Sequence, residues 1–154
     1  MIYGLTYLGV IHTLISLVAV AAALLAFARE GAINPGNTLG KLYIWSTVLT
    51  CLTGFGIFQH GGFGKPHALG VITLVVLATA WKLTSPKIVT VLYSLTFLFH
   101  MIPAVTETST RLPLDAPWLK DAEAPELKAI TGVLFLLFLA GVTLQLRRLK
   151  APGK

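Results

Sequence analysis

The chain has 154 residues, 55% of them hydrophobic and 12% charged, with a mean hydropathy of +0.80. Soluble domains carry about 25% charged residues, so this composition excludes an ordinary water-soluble domain and points to a lipid bilayer as solvent. The net charge of +6 sits at the ends of apolar runs and forms no single patch, a pattern of membrane topology that gives no support to nucleic-acid binding.

The first apolar run covers 2–28 and ends at Arg29, Glu30 and Gly31. Ala26-Phe27-Ala28 resembles a signal-peptidase site, but Met1-Ile2-Tyr3-Gly4 lacks a basic n-region and the run is about twice a usual h-region, so it reads as a retained helix. A turn-rich link, Asn34-Pro35-Gly36-Asn37, leads to a second run, 42–58, closed by Gly61, Gly62 and Gly64. The third, 66–83, opens on Pro66, a favourable first-turn residue. Thr84-Ser85-Pro86 forms a tight link, with Ser85 as the expected cap, before the fourth run, 87–105. A polar outer loop, 106–126, carries Trp118, a residue at home on a membrane surface, and the fifth run is 127–146. A span needs about 20 residues, with a range near 17–25, so the second and third runs are short, and a re-entrant pair is the alternative for them. The expectation is an all-α fold: one integral-membrane domain, 1–154, built as a polytopic membrane bundle of five transmembrane helices.

Charge orients the bundle. The tail Arg147, Arg148, Lys150 and Lys154 puts the C-terminus in the cytoplasm by the positive-inside rule, and five spans then put the N-terminus outside. In this N-out/C-in arrangement eight basic residues and one acid face inward, against four basic residues and five acids outward.

The histidines follow from that topology. His12 and His100 fall inside spans, while His60 and His67 flank the glycine-rich turn, and all four belong to the outer half of the bilayer. Glu107 stands seven residues beyond His100, on the same helical face, with Pro103 between them freeing the carbonyl of Phe99. Ionisable groups within a span usually face the bundle interior and mark function. Each also has a plainer role: His12 and His100 as interhelical hydrogen-bond formers, His60 and His67 as interfacial residues, and Glu107 as a partner of Arg111 at i+4. Small and hydroxyl residues (Gly9, Thr13 and Ser16 beside His12; Ser46, Thr50, Thr53 and Gly54 in the second run) mark the faces expected to point inward.

Imidazoles on several helices suit haem iron, copper, zinc or non-haem iron. A haem b site would use His12 and His100 as axial ligands, with Phe55, Phe97 and Phe99 as apolar walls. A metal-ion site would recruit three or four of His12, His60, His67 and His100, with Glu107. The lone Cys51 excludes an internal disulfide, a CxxC metal site and a c-type haem attachment. There is no HExxH motif, serine-protease arrangement or phosphate loop, so hydrolytic and phosphoryl-transfer chemistry is unsupported.

GKLY at 40–43, LTGFGIF at 52–58, HALGVITL at 67–74 and FHMIPAVTETSTRLP at 99–113 resemble small bacterial inner-membrane proteins of unassigned activity. Those in turn distantly resemble the transmembrane b-type cytochromes. The resemblance implies a bacterial inner-membrane location and a single outer-side haem, since the inner half lacks the histidines a two-haem cytochrome would place there. The leading functional expectation is therefore a redox or electron-transfer protein, an oxidoreductase component exchanging electrons with quinone or a periplasmic carrier. The alternatives are a non-enzymatic subunit or assembly factor of a larger membrane complex, and a metal-ion or proton transporter.

Overall fold

The computed structural model describes residues 6–58 and 62–150. Among these the protein is all-α, with five helices and no strand: α1 Tyr7–Glu30, α2 Thr38–Gly54, α3 Lys65–Lys82, α4 Pro86–Arg111 and α5 Pro125–Lys150. α1, α4 and α5 are long and apolar enough to cross a membrane, whereas α2 and α3 fall outside that set. The seventeen residues of α2 rise about 25 Å at 1.5 Å each, short of a ~30 Å hydrocarbon core. α3 includes Lys65, His67 and Lys82 within its eighteen residues.

The helix limits differ from the sequence expectation where side chains act on the backbone. α2 begins at Thr38, four residues early, because the Asn37 side chain accepts from the Gly40 amide and caps the helix. It ends at Gly54, where the Gly56 amide turns back to the Thr53 carbonyl. Pro103 does not stop α4, which runs six residues beyond the expected 105, so the α4–α5 loop shrinks to 112–124. Trp118 lies exposed in that loop with no helix around it. Ser85 stands at the cap position of α4 without a side-chain cap bond; its carbonyl instead accepts from Val89.

The helices alternate in direction. Lys65, at the start of α3, pairs with Glu123, just before α5, while Gly31, at the end of α1, lies against Arg148 near the end of α5. The Lys65 ammonium holds the Glu123 carboxyl below the usual carboxylate range. The sign follows: a depressed carboxylate contributes above its unfolded value and loses that contribution as pH falls through its folded value. Both groups are exposed, so the pair fixes loop position more than stability. Among the described residues, the end holding the α1–α2 and α3–α4 links carries seven basic groups and one acid, and the other end four basic groups and five acids.

Packing is uneven. α1 and α2 form the most extensive pairing, α3 bridges α2 and α4, and α5 rests on α4 alone. Along α1 the buried face runs Gly9, His12, Ser16, Ala19, Ala23, Ala26, at alternating steps of three and four, with Ala22 beside it. Four of these alanines are at most 2% exposed; small side chains let two backbones approach closely. The buried residues of α2 include Gly40, Tyr43, Thr47 and Thr50. Thr13 falls off the seam: it is exposed and bonds back to the Gly9 carbonyl. A Cβ at Gly40 would overlap the backbone carbonyl of Asn34, which no side-chain movement relieves. Gly40→Ala is expected to destabilise by about 1–3 kcal/mol, while Gly132→Ala, with no heavy atom within 4 Å of its would-be Cβ, should be near neutral. Thermal unfolding of both variants in the same detergent checks this.

Candidate functional site

The upper part of the α1–α2–α4 seam holds two of the expected histidines. His12 Nδ1 lies 3.1 Å from Thr53 Oγ1. The Thr53 hydroxyl proton is committed to the Leu49 carbonyl at 2.8 Å, so the imidazole must be the donor and a neutral His12 carries its proton on Nδ1. Nε2 then holds the lone pair; the Thr50 carbonyl is a further acceptor for the ring, and no side chain among the described residues bonds to Nε2. Gly54 makes room for this ring, since a Cβ there would stand 3.2 Å from His12 Cε1.

His100 is 6% exposed and saturated. Its Nε2 is 3.0 Å from Thr47 Oγ1, and Thr47 donates its own proton to the Tyr43 carbonyl at 2.8 Å. Nε2–H must therefore donate to Thr47, leaving Nδ1 to accept from the Ser16 hydroxyl at 3.3 Å. Below, Thr96 donates to the Tyr93 carbonyl at 2.8 Å, so the Tyr43 phenol donates to Thr96 Oγ1 at 2.7 Å. Each chain ends on a helix carbonyl. A proton relay would require every hydroxyl to reverse, so the arrangement resembles an interhelical clasp more than a wire. Tyr43 also meets the His100 ring edge-on, with centroids 6.1 Å apart.

The remaining candidates lie apart. His67 is the third residue of α3 and is buried, its ring against Phe58 at 5.0 Å and Phe63 at 5.3 Å between centroids. Its Nδ1 accepts from the Gly64 amide at 3.2 Å. The proton is then on Nε2, which is buried without an acceptor among the described residues; in this tautomer His67 offers no lone pair to a metal. Glu107 pairs with Arg111 one turn on, as i,i+4 spacing allows. It stays within electrostatic range of His12, and His12 within range of His100. His60 lies outside the described residues. Among the described residues no three of His, Cys, Asp or Glu gather as a metal-ion set. The expected aromatic walls disperse: Phe55 packs on Gly70 of α3, and Phe97 meets Phe27 edge-on at 5.2 Å.

Sequence reasoning missed Tyr43, Thr47 and Thr96, although Thr47 stands four residues after Tyr43 and three before Thr50, on the buried face of α2. It also missed the buried pair on the other side of α4, where Ser94 donates to Gln145 Oε1 at 2.8 Å. No protein-family model, curated protein or solved structure matches this chain.

Thr47→Val keeps the side-chain shape but removes the acceptor for His100, leaving a buried N–H unsatisfied. The expected cost is about 1–2 kcal/mol, with little further loss when His100→Leu is added. A double-mutant cycle in unfolding free energy measures that coupling; additive losses would mean the bond is not made.

Proposed function

We propose that this is a bacterial inner-membrane protein whose five helices cross N-out/C-in, and that His12 supplies the protein nitrogen for a single haem b in the outer half of the bundle. One observation carries the reading: the His12 ring is held on α2 by Thr53 and the Thr50 carbonyl, while Nε2 keeps a lone pair that no side chain among the described residues engages. Ligating histidines are commonly oriented in this way, their second nitrogen donating to a fixed acceptor. Haem needs as few as one protein ligand. A bare copper, zinc or iron ion needs three or four, and no such group gathers among the described residues, so haem is favoured over a metal-ion cage. The sorting of charge between the two ends supports the proposed orientation.

A haem so bound supplies one-electron transfer, with quinone or a periplasmic electron carrier as the redox partner. The chain's own residues divide the remaining tasks. Thr53 fixes the rotation of the His12 ring, and Gly54 brings α2 against it. Glu107 places a negative group within electrostatic range at the outer mouth. His100 acts as a polar neighbour; serving as a second ligand would require it to give up its bond to Ser16 or Thr47.

A second reading is favoured by the saturation of His100. Its two interhelical bonds are what a packing residue needs, and they fit a non-enzymatic subunit or assembly factor beside a larger membrane complex.

The test is an absorption spectrum of the full chain in mild detergent, oxidised and then dithionite-reduced, after expression in haem-supplied cells. A Soret band that sharpens on reduction is expected. His12→Ala should abolish it, while His100→Leu should retain it and lose about 0.6–2 kcal/mol of stability. A colourless wild-type protein would overturn the haem reading and leave the packing subunit ahead.

A further inference from the structure

A cleft separates α1 from α5 on the side of α4 away from the histidines. Its volume is about 420 Å³, within the range of small-ligand sites. Leu24, Phe27, Phe97, Met101, Leu137 and Phe138 form apolar walls, and the polar lining lies toward one end. There Gln145, 9% exposed, accepts from Ser94 through Oε1, while its amide NH2 has no partner among the described residues. One helical turn toward the basic end of the bundle, Arg148 closes the cleft. Its guanidinium lies over Gly31, where any Cβ would collide with it, and it makes no ion pair or hydrogen bond among the described residues.

We infer that this cleft binds one anionic glycerophospholipid, its phosphate on Arg148, an ester carbonyl on the Gln145 amide and one acyl chain between α1, α4 and α5. The polarity of the site matches that of the ligand. Arg148 presents a planar fork suited to phosphate. Gln145 lies three residues away along α5, about 4.5 Å deeper, and a lipid's ester carbonyls also lie just below its phosphate. From Arg148 to Leu134 the lined part of α5 rises about 21 Å, enough to hold a chain that fills one leaflet of a ~30 Å core.

A second copy of this chain fits less well. Among the described residues the Arg148 end carries one acid, Glu30, and Asn37 already donates to it. The other five acids lie at the far end, so a copy in the same orientation brings no unengaged carboxylate to the guanidinium. A neutral quinone would leave the charge of Arg148 unanswered.

The experiment is native mass spectrometry of the full chain, delipidated in detergent and then offered phosphatidylglycerol or phosphatidylcholine. One phosphatidylglycerol per chain should be retained in preference to phosphatidylcholine. Arg148→Gln and Gln145→Leu should each weaken retention about tenfold or more. Arg147→Gln removes the same charge from an exposed neighbour that does not line the cleft, and it should leave retention unchanged. Leu137→Trp fills the slot without touching either polar group and should exclude the lipid, which keeps the proposal testable if a polar variant fails to fold. Equal losses from Arg147→Gln and Arg148→Gln, equal retention of phosphatidylcholine, or recovery of a free fatty acid, a quinone or a lipid-free dimer in place of the phospholipid would each overturn it. None of these outcomes depends on haem binding.

Discussion

A threonine hydroxyl has one proton, and within a helix it usually goes to a carbonyl of the preceding turn. Thr47, Thr53 and Thr96 all follow this rule. Once those protons are committed, each oxygen can only accept from across the interface, and the donors must be His100, His12 and the Tyr43 phenol. Three local backbone habits thereby dictate the tautomers of two imidazoles, one buried and one half-buried, and the direction of the phenol bond. In a lipid environment an unmet donor has no water to fall back on, so the alignment of α1, α2 and α4 is tied to these partners as well as to close packing.

This constraint separates the two deep histidines, which look equivalent in the sequence. His100 is enclosed, both nitrogens engaged by hydroxyls from two other helices. His12, half-buried, is engaged on one side and open on the other. Two histidines of similar depth are thus bonded differently, one clasped through both nitrogens and one held from a single side. The difference arises from the register of α2, which puts Thr47 beneath one ring and Thr53 beside the other.

Composition and hydropathy made the all-α membrane character legible, and the links at Asn34-Pro35-Gly36-Asn37 and Thr84-Ser85-Pro86 divided the helices correctly. The α1 stripe is half legible: Gly9, His12 and Ser16 point inward as the sequence expects, and the same spacing of three and four continues through Ala19, Ala23 and Ala26 into the buried core. Thr13, expected on that face, is turned outward by its position. Helix ends are less legible because they depend on single side chains, such as Asn37 at the start of α2, and the apolar run that ends at 105 understates α4, whose last turns are polar and carry the Glu107–Arg111 pair. The His67 tautomer could not be read at all, since it depends on one backbone amide approaching its ring.

The uneven packing also bears on how the molecule moves. Alanines sealed against α2 leave α1 no side-chain rotation with which to absorb displacement, and α3 is wedged between two neighbours. α5 brings its backbone close to α4 alone among the helices, reaching the end of α1 only through the Arg148 side chain, and most of its surface faces outward. Regions with few buried contacts open first, so low-energy breathing falls on α5, swinging about its line of contact with α4. The four preceding helices form the frame, and the spacing of α1 and α5, bridged at one end by Arg148 over Gly31, can vary without breaking the hydroxyl–imidazole clasp.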